Sequence, residues 1–148
     1  MIRMRALLLC WIGVIFSANA VEAGRQVVLV AAAASPLQDI DSLELRKLYL
    51  GFPVSRNGHT VKGLRNSGDK TLNHIFLQTV VAMSEKSYAR RLLSLTLREG
   101  IPRPPEYDEP GRLLDALSSD PYSVTYMWKD ATSDLPDVKI LRVLWQEY

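Results

Sequence analysis

Residues 26–34 read QVVLVAAAA, nine positions without a charge and with valine at 27, 28 and 30. A strand with one wet face alternates apolar and polar residues, whereas an unbroken, partly β-branched apolar run predicts a strand covered on both faces of a sheet. This run therefore predicts a central strand, and the flanking sequence must supply the layers that cover it. Ser35-Pro36 stops the run. Asp41 with Glu44 three residues on reads as a capping box opening a helix that carries Leu43, Leu45, Leu48, Tyr49 and Leu50, with Gly51 and Pro53 ending it. Asn57-Gly58 is a turn signal, and a short strand is expected around Thr60–Leu64.

Further along, Leu72, Ile75, Phe76, Thr79 and Val80 recur at helical spacing and predict one buried stripe. Met83-Ser84-Glu85 opens another helix with Tyr88, Leu92, Leu95 and Leu93 as its inward candidates, and Gly100 closes it. Residues 101–110, IPRPPEYDEP, hold four prolines and predict an extended crossing segment. Arg112–Ser118 reads as a short helix, Asp120-Pro121 as a turn, and Tyr122–Trp128 and Val138–Leu144 as strands. Strands alternating with helices predict a single three-layer α/β domain over residues 24–148.

The N-terminus has the order of a secretory signal peptide: Arg3 and Arg5, the apolar run Ala6–Phe16, then the small and polar SANAVEA. The run of 11 residues is short of the roughly 20 that span a bilayer, so residues 1–23 read as a signal peptide cleaved after Ala20 or Ala23. The mature chain is then periplasmic or secreted, with no membrane contact after cleavage. Cys10, the one cysteine of the 148 residues, lies inside the signal, so a disulfide framework, thiolate metal sites and a cysteine nucleophile are excluded. Loss of Arg3, Arg5 and Glu22 leaves 16 basic and 15 acidic residues of the original 18 and 16. A nearly neutral domain argues against nucleic acid as a partner.

The stretch Val61–Phe76, VKGLRNSGDKTLNHIF, reads as strand, tight polar turn and amphipathic helix. A helix starting near Gly68 aims unpaired N–H groups and the positive end of its dipole at the turn, a ready anion site. Ser67 and Thr71 offer hydroxyls, Gly68 permits close approach, and Lys70 and Arg65 add positive charge. The same residues also read as an ordinary N-cap in which Ser67 accepts from its own helix. Catalytic readings find little support. His59 and His74 lack the spacing of a helical metal pair, there is no nucleophile elbow or P-loop, and Ser67 has no base beside it. The expectation is a protein that is not an enzyme and needs no cofactor or metal. Tyr107, Tyr122, Tyr126 and Trp128 are candidates for an aromatic ligand surface, with core packing the expectation for half of them.

Taken in order, these segments resemble one lobe of the phosphate-binding periplasmic proteins of ABC transporters, in the type 2 periplasmic-binding-protein superfamily. DSLELRKLYLGF is similar to the family's first strand-following helix, RNSGDKTLNHIF to its R-x-x-x-S-G-T-x-x-x-F loop and helix, and REGIPRPPEYDEPGRLLDALSSDPYSVTYM to the crossing that leads to its Pro-Gly-Ala-Ile-Gly-Tyr strand. The resemblance implies that Ser67 and Gly68 contact phosphate or a related oxyanion, with Lys70, Thr71 and Arg65 beside them. Two positions depart: Asp69 stands where the family has threonine, and Gly63 where it has arginine. With about 125 mature residues there is room for one lobe, so a transporter, a sensor protein or a second copy is the expected completion of the cleft. A periplasmic interaction or scaffold protein that keeps the fold without the ligand is the other expectation.

Overall fold

In the computed structural model, which describes residues 24–148, β1 (Gln26–Ala32) is an inner strand of a four-stranded sheet. The signal peptide read in residues 1–23 lies outside the described residues. β1 pairs antiparallel with β7 (Ser123–Trp128) on one side and with the edge strand β8 (Val138–Gln146) on the other. β4 (Lys62–Gly63) completes the sheet, parallel to β7. The domain is thus mixed α/β with a mixed sheet, and β1 is central as its composition predicts.

Successive residues of β1 point to opposite faces, and each face has its own core. Val27, Leu29 and Ala31 pack into a cluster with Tyr49, Phe76 and Tyr88. Those aromatics come from α1 (Ser42–Tyr49), α2 (Lys70–Phe76) and α3 (Glu85–Glu99). Val28 and Val30 pack instead with Leu113 and Leu117 of α4 (Pro110–Ser119). Helices on both faces explain why a sheet whose long pairings are antiparallel still carries an unbroken apolar strand.

The local signals are expressed with three departures. Asp41 caps α1 through Oδ1, which accepts the Leu43 and Glu44 N–H groups at 2.9 Å each. Glu44 does not close the box: its carboxylate pairs with the Arg56 guanidinium, and Leu43 points outward, 63 % exposed. α2 runs directly into a π-helical turn, Leu77–Val81, which rotates the apolar stripe. Leu77, Val80 and Val81 are buried by it and Thr79 is turned to solvent. Ser84 caps α3 and Gly100, at φ 66°, closes it, but Leu93 lies outward.

β2 (Ser55–Arg56) and β3 (His59–Thr60) form a hairpin whose turn residues Asn57 and Gly58 both have positive φ. Within the proline-rich crossing, β6 (Glu106–Tyr107) pairs parallel with β5 (Arg65–Asn66), and this short ladder fixes the loop that leads into α2. α5 (Lys129–Thr132) joins β7 to β8.

Candidate functional site

The site expected at the start of α2 is built around a different cap from the one its sequence signals. Helix α2 begins at Lys70 and its N-cap is Asp69, whose Oδ1 accepts the Leu72 N–H at 3.0 Å. Oδ2 of the same carboxylate accepts the indole N–H of Trp128 at 2.9 Å. Ser67 is not the cap. Its N–H donates to the Tyr107 carbonyl at 2.9 Å and its hydroxyl contacts the same oxygen at 3.3 Å, extending the β5–β6 ladder by one residue. The ladder holds Ser67 in strand geometry, and the ionised Asp69 is the stronger acceptor at the positive end of a helix. The Leu72 N–H and then the Trp128 N–H hold the Asp69 carboxyl below its ordinary value.

Gly68 is required by a close approach. A Cβ on it would lie 2.4 Å from the backbone oxygen of Asp108. Gly68→Ala should therefore push the α2 loop away from β6 and cost about 1–3 kcal/mol, the usual range for overpacking. Urea unfolding of the variant checks this, and an unchanged midpoint would refute the contact. Gly63 is confined less severely, since its Cβ would meet the Tyr49 ring at 3.0 Å.

The five expected site residues do not converge on one space. Ser67 and Lys70 line an open cleft of about 1230 Å³ between α2 and the start of α3, together with Asn73, His74, Ser84 and Glu106. Arg65 stands against the wall of that cleft. Its guanidinium bonds Asn73 Oδ1 at 3.2 Å and Glu106 Oε2 at 3.2 Å, and lies 5.0 Å from the Tyr88 ring centre. The side chain is 11 % exposed, and its Nε is buried with no partner among the described residues. Gly68, by contrast, lines a smaller cavity of about 250 Å³ with Asp69 and Trp128. Thr71 is exposed on α2 and lines neither space.

Asn73, Glu106 and Trp128 were not singled out as partners of this region. Asn73 was legible as a polar residue one turn after Lys70, but Glu106 and Trp128 arrive from 41 and 59 residues away in the chain and carry no local signal. Of the aromatic candidates, Tyr126 belongs to the core, with its hydroxyl accepting the Asn66 N–H at 3.2 Å. Burial pushes its hydroxyl pKa well up, and raises that of Tyr88 to about 12. Tyr122 stacks on His59 with ring centres 4.3 Å apart. Among the described residues no group of three His, Cys, Asp or Glu could hold a metal ion, and no helix is long and apolar enough to cross a membrane. No protein-family model and no curated protein matches the chain.

Proposed function

We propose that the chain is an exported, non-catalytic solute-binding-like domain, resembling one lobe of a type 2 periplasmic-binding protein, that takes phosphate or a related oxyanion in the cleft between α2 and α3 and assists uptake or sensing. One observation carries the reading: Ser67 and Lys70 line the same cleft, the Arg65 guanidinium is bonded to Asn73 and Glu106 of its lining, and the Asp69 carboxylate is turned away onto Trp128. An aspartate facing the cleft would repel an anion; bonded as it is, Asp69 leaves the Lys70 side clear. Binding in this reading comes from side chains, since Asp69 itself caps the helix N–H groups. Lys70 is exposed and Glu85 and Glu106 share the cleft, so affinity should be low and salt-dependent.

A second reading, a periplasmic interaction or scaffold protein, is favoured by a separate observation. The Ser67 N–H and hydroxyl are turned to the Tyr107 carbonyl, Gly68 packs closely against the Asp108 carbonyl, and a resident carboxylate occupies the helix end, so the start of α2 is already engaged by the protein itself. Calorimetry of the purified protein with phosphate and with sulfate separates the two. Saturable heat, with an affinity weakened about tenfold in Lys70→Ala, equivalent to about 1.4 kcal/mol, supports anion binding. No heat at millimolar anion and low salt refutes it in favour of the second reading.

A further inference from the structure

We propose that the cavity enclosed by α4, α5, the end of β7 and the start of α2 binds a small organic ammonium ion, with Asp69 and Asp108 as its counter-charges and Trp128 as its aromatic wall. This cavity shares no lining residue with the anion cleft, and the inference stands independently of that reading. Its volume is about 250 Å³, and Leu72, Leu113, Leu114, Met127 and Leu135 belong to its apolar lining. Pockets for drug-sized ligands run from about 300 Å³ upward, so the space suits a single ring or a short alkyl chain.

The charge of the lining selects the class of occupant. Among the described residues the ionisable ones around the cavity are Asp69 and Asp108, and no lysine, arginine or histidine lines it. Asn66, the remaining polar side chain there, donates one amide N–H to the Tyr126 carbonyl at 3.1 Å and keeps its acceptor oxygen and its second N–H. Each oxygen of Asp69 accepts one protein hydrogen bond, from Leu72 or from Trp128, and a carboxylate oxygen has capacity for a second. An apolar cavity whose charged side chains, among the described residues, are two carboxylates disfavours anions and offers acceptors to an ammonium group. Trp128 adds attraction of the same sign. Its indole is shared, since the Arg25 guanidinium lies 3.6 Å from the ring centre and also draws on the Asp69 carboxylate, but Arg25 does not line the cavity.

Benzylamine and its uncharged analogue benzyl alcohol, titrated into the ¹⁵N-labelled protein, test the proposal through the indole N–H signal of Trp128, assigned with Trp128→Phe. Benzylammonium should shift that signal to saturation and bind at least tenfold more tightly than the alcohol. Ala131→Leu, which fills the cavity, should abolish the shift, with Leu114→Phe as the second filling variant, and Asp108→Asn should weaken binding severalfold with an unchanged melting temperature. Equal affinity for amine and alcohol would overturn the cationic class. Undiminished binding in a folded cavity-filled variant would overturn the location, and no shift with either compound would overturn the proposal altogether.

Discussion

Tyr126→Ala is expected to destabilise the domain by about 3–5 kcal/mol, the cost of truncating a large aromatic in a core that cannot collapse around the void. Tyr126 is fully buried in β7 and is the ring on which the main core is assembled. It stacks on Phe76 with centres 4.4 Å apart and meets Tyr49 edge-on at 5.8 Å. Phe76 in turn meets Tyr88 at 6.0 Å, so one ring links β7 to α1, α2 and α3. The hydroxyl also accepts the Asn66 N–H, tying β5 to β7. Tyr126→Phe keeps the ring and removes only that acceptor, so it should cost about 1–2 kcal/mol. Urea unfolding of both variants checks the pair; a loss for Tyr126→Ala no greater than for Tyr126→Phe would show that the ring is not central to the core.

Asp69→Ala should have the second-largest effect, about 2–4 kcal/mol, because it removes the α2 cap and leaves the partly buried Trp128 N–H without its acceptor. The contribution is pH-dependent in a definite sense. The folded carboxyl titrates below its unfolded value because Leu72 and Trp128 donate to the ionised form. The stabilisation is therefore complete above the unfolded pKa of about 4 and is lost as pH falls through the lower, folded value. Melting temperatures of the wild type and Asp69→Asn, compared from pH 7 downward, should converge in that acidic window. A constant difference across it would sink the assignment.

The parts of the fold that were legible in the sequence are those governed by neighbours along the chain. The apolar run at Gln26–Ala34 announced a doubly covered strand, Ser84 and Gly100 bracketed α3, and Asn57-Gly58 marked the hairpin. Strand direction was beyond reach, because β1 finds both of its partners about a hundred residues away. Thr79 was misread because a helical period assumes 3.6 residues per turn, and the π turn at Leu77–Val81 breaks it. The candidate site shows the same division. Ser67, Gly68 and Asp69 are adjacent and all suited to a helix start, and only the ladder with β6 and the distant Trp128 decide which of them caps the helix and which way each faces.

The pairing of β1 between β7 and β8 has a consequence for how the molecule comes into being. Its central strand is the first segment of the described chain and both partners are among the last, with Gln26 opposite Gln146. Bringing such ends together requires closing loops of about a hundred residues before any sheet energy is gained, an ordering that slows folding. An emerging chain can form α1, α3 and the hairpin locally, but its sheet has no second long strand until residues 123–128 have followed. The nascent polypeptide thus stays without its sheet for most of its synthesis, and removal of β8 would leave β1 with an open edge of unpaired backbone.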